Sequence, residues 1–238
     1  MITTDNLTKQ YGETIVLNQL NLNIGANEIY CLLGANGAGK TTTINLLLGF
    51  IKPTSGSAFI NGLCVSEEYI KTKQYLAYIP ENLMLYPTLT AVENLKYFSG
   101  IGGKNLSKSQ SEDFLNEAGL QKNAFNSRIS TFSKGMRQKV GISIALAKDA
   151  KSLLLDEPTS GLDPKSSNEF GQLLHKLKDN GVSILMATHD LFRAKDTGTH
   201  IGIMKNGQLR QEYATKDISL PELEQAYLEA MNYKEFVS

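Results

Sequence analysis

The sequence predicts an α/β fold: a mainly parallel sheet covered on both faces, with a strand-rich N-terminal part and an inserted helical lobe. Three observations predict it. A glycine-rich turn, Gly34 to Thr41, joins an apolar strand to an amphipathic helix; strands and helices alternate from Ser152 onward; and the 90–148 stretch carries amphipathic runs joined by polar linkers without convincing strands.

Taken in order, Glu13–Leu17 and Leu20–Ile24 read as two short strands, the second with alternating apolar positions, and Glu28–Leu33 follows as an apolar strand. Thr41–Phe50 carries apolar residues at helical spacing. Pro53–Gly56 is a turn, Ser57–Ile60 a short strand, and Asn61-Gly62 has the composition of a tight hairpin turn. The helical lobe, 90–148, contains the runs Ala91–Phe98, Gln110–Ala118 and Gly135–Ala147. Alternation then resumes with strand Ser152–Asp156, helix Pro164–Lys178, strand Val182–Thr188, helix Leu191–Asp196, and strands His200–Lys205 and Gln208–Tyr213. Helices of this length between strands imply crossovers and hence parallel neighbours. We therefore expect one domain over 1–215 with the lobe inserted in it, and a short helical tail over 216–238 whose apolar period runs from Leu220 to Met231.

Composition narrows the function classes. With 238 residues and 41% hydrophobic content the chain can bury a substantial core. Lys plus Arg and Asp plus Glu both total 24, so there is no net-positive field to draw the chain onto nucleic acid or an anionic membrane, and no nucleic-acid partner is expected. The two cysteines, Cys31 and Cys64, lie in apolar strand-like surroundings without metal-ligand spacing, as expected for buried free thiols in a reducing compartment. Met1–Asn6 lacks the layout of a signal peptide, and no apolar run approaches the ~20 residues of a membrane span. The expectation is a cytoplasmic chain; if it serves transport, another polypeptide forms the pore.

Two segments carry chemistry. Gly34-Ala35-Asn36-Gly37-Ala38-Gly39-Lys40-Thr41 fits GxxxxGK[ST] at every fixed position and lies between a strand and a helix. Glycines let the backbone curl so that N–H groups from Asn36, Gly37, Ala38 and Gly39 point inward at phosphate oxygens, with the positive end of the helix behind them. Lys40 is placed to reach the β- and γ-phosphates of ATP, Thr41 to ligate Mg²⁺ through its hydroxyl, and Thr42 to donate to the α- or β-phosphate. The second segment, Leu153-Leu154-Leu155-Asp156-Glu157, is an apolar strand ending in two carboxylates. Alternation along a strand lets the pair take different roles: Asp156 to hold Mg²⁺ through a water, Glu157 to polarise the attacking water as general base.

With these two motifs in hand, the chain from about Ile2 to Tyr213 resembles the nucleotide-binding domain of ABC transporters, a P-loop NTPase fold. Phe132-Ser133-Lys134-Gly135-Met136 sits where that family places its Leu-Ser-Gly-Gly-Gln signature, with Phe132, Lys134 and Met136 as departures. The resemblance implies that Ser133 and the Gly135 backbone bind the γ-phosphate held by another subunit, so that two copies form a homodimer around two ATP. Read without it, Ser133 is the N-cap of the following helix, and both readings can hold. Ser160-Gly161-Leu162-Asp163 matches the family's D-loop, His189 its switch histidine, and Tyr11 the aromatic that stacks on adenine. Glu81, in Tyr78-Ile79-Pro80-Glu81-Asn82, occupies the Q-loop position, where a carboxylate replaces the usual amide and remains a hard oxygen ligand for Mg²⁺.

Pro-Glu at this loop with Ser-Lys-Gly-Met at the signature resembles the ABC-2-type exporters, in which ATPase and membrane permease are separate chains. That implies a subunit peripheral on the cytoplasmic face of a membrane. The alternative is a soluble ABC ATPase in cofactor assembly. The run Asn82-Leu83-Met84-Leu85-Tyr86-Pro87 has no helix or strand period to bury it, so it either packs beneath the lobe or lines a groove for a helix of the permease. On the second reading Asp at Leu83 or Leu85 is expected to leave the fold intact.

Overall fold

A computed structural model describes residues 1–231, so the last seven residues of the expected tail lie outside the described ones. Among the described residues, ten strands form two sheets. The smaller is antiparallel, in the order β2-β1-β4-β5, from β1 (Ile2–Tyr11), β2 (Thr14–Ile24), β4 (Ser55–Ile60) and β5 (Leu63–Cys64). The larger runs β10-β9-β3-β8-β7-β6, from β3 (Ile29–Leu33), β6 (Leu76–Ile79), β7 (Ser152–Asp156), β8 (Ser183–Thr188), β9 (His200–Lys205) and β10 (Gln208–Ala214). Its strands pair in parallel except β10, which joins β9 antiparallel at the edge.

The period of two sorts the central strands into two cores. Ile29, Cys31 and Leu33 of β3 enter one buried cluster with Leu153, Leu155, Ile184 and Met186, while Tyr30 and Leu32 enter the other with Leu154, Leu185 and Ala187. Each fully buried Leu or Ile contributes about 1.5–3 kcal/mol relative to exposure. Such double burial is why β3, β7 and β8 read as continuous apolar runs. Among the helices, α1 (Lys40–Leu47) covers one face, whereas α6 (Pro164–Asp179), α7 (Leu191–Thr197) and α8 (Leu220–Ala230) cover the other.

Between β6 and β7 lie α3 (Ala91–Ile101), α4 (Lys108–Glu117) and α5 (Lys134–Lys148), with no strand among them. Thr90 with Glu93 and Ser107 with Gln110 form capping boxes that fix where α3 and α4 start. These helices share their own buried cluster, including Leu95, Leu115, Phe125, Phe132 and Val140. Helix α5 has two apolar faces: Val140 and Ala147 point into that cluster, Ile142 and Ala145 into the core against the large sheet. Gly141 permits the contact, because a Cβ there would lie 2.8 Å from Leu83 Cδ2.

Several sequence expectations are corrected. Glu13–Leu17 and Leu20–Ile24 are one strand, β2, interrupted by a bulge where Gln19 has φ 50°. Strand β1 was not expected, because a matching bulge at Asn6, φ 45°, breaks its alternation. Helix α2 (Val65–Tyr75) was also not expected: only Val65 and Thr72 are buried, and Glu68 is non-helical within it. Asn61-Gly62 does form the hairpin turn, both residues having positive φ. Cys31 is buried, with its thiol pushed well above the ordinary value by desolvation, whereas Cys64 is only half-buried. Both are free. Among the described residues no helix is long and apolar enough to cross a membrane.

Candidate active site

Strand β3 delivers the chain into the loop Gly34–Gly39, which turns directly into α1. Gly37 and Gly39 have φ 81° and 106°, a region that L side chains rarely adopt. At Gly39 a Cβ would also meet the Val16 carbonyl at 2.9 Å, and at Gly34 the Met204 carbonyl at 2.5 Å. Gly39 is the N-cap of α1 and supplies no side-chain hydrogen bond, so the first N–H groups of the helix stay available to an anion. Lys40 is buried and donates from Nζ to the Gly34 carbonyl at 2.6 Å and the Ala35 carbonyl at 3.3 Å. Thr42 is half-buried and Thr41 exposed on the same first turn.

The carboxylates at the end of β7 face this loop. Desolvation raises the Asp156 carboxyl above its ordinary value; a Thr41 hydrogen bond opposes the rise, as does Lys40, while the charges of Glu157 and Glu81 add to it. Glu157 adopts a left-handed backbone, φ 45°, which costs a non-glycine residue of order 1 kcal/mol and is a form of strain common at functional sites. Its side chain thereby turns to Lys40, with Oε1 at 3.5 Å from Nζ, and to His189, whose Nδ1 lies 2.9 Å from Oε2. Glu157 Oε1 is buried and has no hydrogen-bond partner among the described residues. His189, just beyond β8, is exposed on its other side.

The remaining predicted residues divide between neighbouring places. Ser133 caps α5, accepting from the Met136 N–H at 3.3 Å, and Asp163 caps α6, accepting from the Ser166 N–H at 3.0 Å. The Ser166 hydrogen bonds hold the Asp163 carboxyl below its usual value. Ser133, Gly135 and Asp163 line a 470 Å³ cavity. Glu157 and His189 line a different one, of 270 Å³, and the two share no lining residue. Tyr11 ends β1, half-exposed, with Lys9 Nζ 4.7 Å from its ring centre. Glu81 is exposed after β6 and accepts from Ser160 Oγ at 3.2 Å, tying the loop after β6 to the loop after β7.

The loop 82–87 corrects an expectation. Leu83 and Leu85 do line a groove, but Leu85 is 8% exposed and belongs to the α3–α5 cluster, so a charge there would disrupt packing. Met84, 83% exposed, is the accessible residue of the run. Sequence reasoning also passed over Gln138, which lines this groove from inside α5; its place in a helical apolar period reads as core.

Comparison with known proteins agrees with this geometry. Residues 17–160 match the ABC transporter family. The bacitracin transport ATP-binding protein BcrA of Bacillus licheniformis is 40% identical over 217 residues, covering 89% of this chain and 69% of that protein. The lantibiotic transport ATP-binding protein SrtF of Streptococcus pyogenes is 35% identical over 215 residues, 90% of this chain and 91% of that one. Among solved structures, an ATP-binding subunit of an ABC transporter superposes with a TM-score of 0.82 at 30% identity, over 95% of this chain and 99% of that one. The dimeric post-hydrolysis state of the cassette MJ0796, bound to ADP and phosphate, gives 0.79 at 28% identity, over 90% and 99%. The matched segment runs from β2 through the phosphate loop to the residues just beyond Glu157, and the chain accordingly belongs to the ABC transporter family, as an ATP-binding and ATP-hydrolysing subunit.

Proposed function

We propose that this chain powers an exporter: as a homodimer closed around two ATP, it hydrolyses them and drives a separate integral membrane permease on whose cytoplasmic face it sits. The names of BcrA and SrtF, transport proteins for bacitracin and a lantibiotic, support the exporter reading, and the dimeric ADP-bound relative supports the homodimer. Residues 1–215 would form the ATPase unit, 90–148 its helical lobe, and 216–238 an appended tail.

The observation that carries the mechanism is the state of Glu157. His189 Nδ1 holds Oε2, leaving Oε1 buried without a hydrogen-bond partner among the described residues and at ion-pair distance from Lys40. A buried carboxylate oxygen in that state is a strong acceptor for a water proton, and the Lys40 ammonium lies beside it. In this reading Lys40 and the backbone of Asn36, Gly37, Ala38 and Gly39 bind the phosphates, Thr42 assists, and Tyr11 stacks on adenine. Ser133, Gly135 and Asp163 serve the nucleotide of the other protomer. His189 orients Glu157, which takes the proton of the attacking water.

The residues around Asp156 fit Mg²⁺ in their donor chemistry: the Thr41 hydroxyl hydrogen-bonds its carboxyl, the charge of Glu81 acts on it, and all three side chains offer oxygen. Thr41, Glu81 and Asp156 would hold the ion, which when bound would offset phosphate charge.

Glu157→Gln keeps the shape and removes the base. We expect ATP binding to persist, turnover to fall by about 10²–10⁴-fold, and an ATP-bound dimer to accumulate on size exclusion. Wild-type turnover would overturn the base assignment, and a monomer under saturating ATP would overturn the shared-nucleotide dimer.

A further inference from the structure

Three backbone segments meet beside the phosphate loop. The hairpin between β9 and β10 turns through Asn206 and Gly207, both at positive φ, 50° and 74°. The Gly207 N–H donates to the Ala38 carbonyl at 2.9 Å, and the Gly207 carbonyl accepts from the Asn18 N–H at 2.8 Å. One residue thus bonds the phosphate loop on one side and strand β2 of the small sheet on the other. The fit leaves no room for a side chain. A Cβ on Gly207 would lie 2.6 Å from the Val16 carbonyl oxygen, and a Cβ on Gly39 would lie 2.9 Å from that same oxygen and 3.4 Å from Gly207 Cα. Parallel pairing of Leu33 with Ile203 fixes the hairpin against the strand that delivers the phosphate loop.

We propose that Gly207 is a positioning residue for ATP: the hairpin tip holds the small sheet in register with the phosphate loop, so that one nucleotide engages both at once. This rests on the reading above in which the loop binds the phosphates and Tyr11 the adenine. Tyr11 pairs with Thr14, two residues before Val16, so the adenine end of the site hangs on the strand that Gly207 fastens. A ligand with two anchor points gains from both only when their spacing matches its own, and otherwise binds through one. A side chain at position 207 pushes β2 away from the loop while leaving the groups at either end intact. What it costs is the gain from holding both ends together.

The test compares ATP with inorganic tripolyphosphate, which carries the phosphates without adenosine, by calorimetric titration of the full chain. Gly207→Ala should weaken ATP about tenfold or more while tripolyphosphate changes by less than about twofold. Tyr11→Ala should also weaken ATP, and adding Gly207→Ala to it should cost much less than in wild type, because the two changes remove the same gain. Equal losses for ATP and tripolyphosphate overturn the register role by making Gly207 a support of the phosphate loop alone, as do additive losses in the double variant or an unchanged ATP affinity in Gly207→Ala. Should Gly207→Ala fail to fold, an amide-to-ester replacement of the Asn206–Gly207 peptide bond removes the N–H that reaches Ala38 without adding a Cβ. It should weaken ATP about threefold and spare tripolyphosphate, and equal effects on the two ligands overturn the proposal there too. Wild-type ATP affinity in Tyr11→Ala overturns the stacking reading, with Gly207 still judged by ATP against tripolyphosphate. Tripolyphosphate that fails to displace ATP from wild type overturns the phosphate-loop reading and the proposal with it.

Discussion

At the scale of single residues, the placement of charge decides what the site accepts. Lys40 is buried, and two backbone carbonyls and one carboxylate hold its ammonium. Phosphate oxygens are stronger partners for a buried cation than neutral carbonyls, so an arriving triphosphate competes for it on favourable terms. Lys40→Ala should therefore cut ATP affinity at least tenfold, since hydrogen bonds to charged groups are worth roughly 1.5–3 kcal/mol each. Calorimetric titration giving wild-type affinity would place the phosphates elsewhere. Asp156 behaves oppositely, because burial holds its carboxyl above the ordinary value. Its ionised form is disfavoured in the folded chain, so stability is lost as pH rises through the folded-state value and is unaffected below the ordinary value, about pH 4. Asp156→Asn should raise the stability of the nucleotide-free chain at neutral pH, a gain that fades near about pH 4, while weakening Mg²⁺-dependent stabilisation by ATP. Equal melting at both pH values would sink this account. The closeness of Lys40, Asp156 and Glu157 was legible in the sequence because each sits in a contiguous motif at the end of a strand or the start of a helix. The buried amide of Gln138 was not, because its lack of a hydrogen-bond partner among the described residues follows from how distant segments pack.

At the scale of elements, helix starts carry both structure and site. Ser133 caps α5 and Asp163 caps α6, and the two ends meet closely enough that a Cβ on Gly135 would touch Ser166 at 3.2 Å. A cap and a phosphate ligand can be separated experimentally. Ser133→Asp retains a good N-cap but sets a negative charge facing the 470 Å³ cavity that Ser133 lines. We expect melting near wild type and loss of ATP hydrolysis; hydrolysis at the wild-type rate would reduce Ser133 to a cap. Ser133→Ala should lose about 0.5–2 kcal/mol of stability as well. The same scale shows what the sequence could and could not reveal. Strands β7, β8 and β9 and helix α6 were read within a residue or so because burial on both faces, or a strong apolar stripe, writes itself into composition. Strands β1 and β2 were misread because positive-φ bulges at Asn6 and Gln19 shift the alternation partway along. Helix α2 escaped because it buries so little that no periodicity survives.

At the scale of the molecule, the proposed site residues of one chain line two neighbouring cavities. Lys40, Glu157 and His189 converge in one region, while Ser133, Gly135 and Asp163 line a cavity that shares no residue with the one beside Glu157. In the proposed homodimer a second copy brings the Ser133 half, and a two-fold arrangement creates two composite sites, each mixing residues of both protomers. This can be tested without knowing the permease. Lys40→Ala and Ser133→Ala are each expected to be poorly active alone, because every site in either dimer lacks one function. Mixed in equal amounts and allowed to exchange, about half the dimers are heterodimers. In each of these, one site combines both lesions and the other combines Lys40 of one protomer with Ser133 of its partner, fully intact. Activity should then recover toward about a quarter of the wild-type site count, rising with total protein concentration as association proceeds. Were Ser133 to act within its own chain, no pairing of the two variants could rebuild a complete site, and the mixture would show only the average of its components.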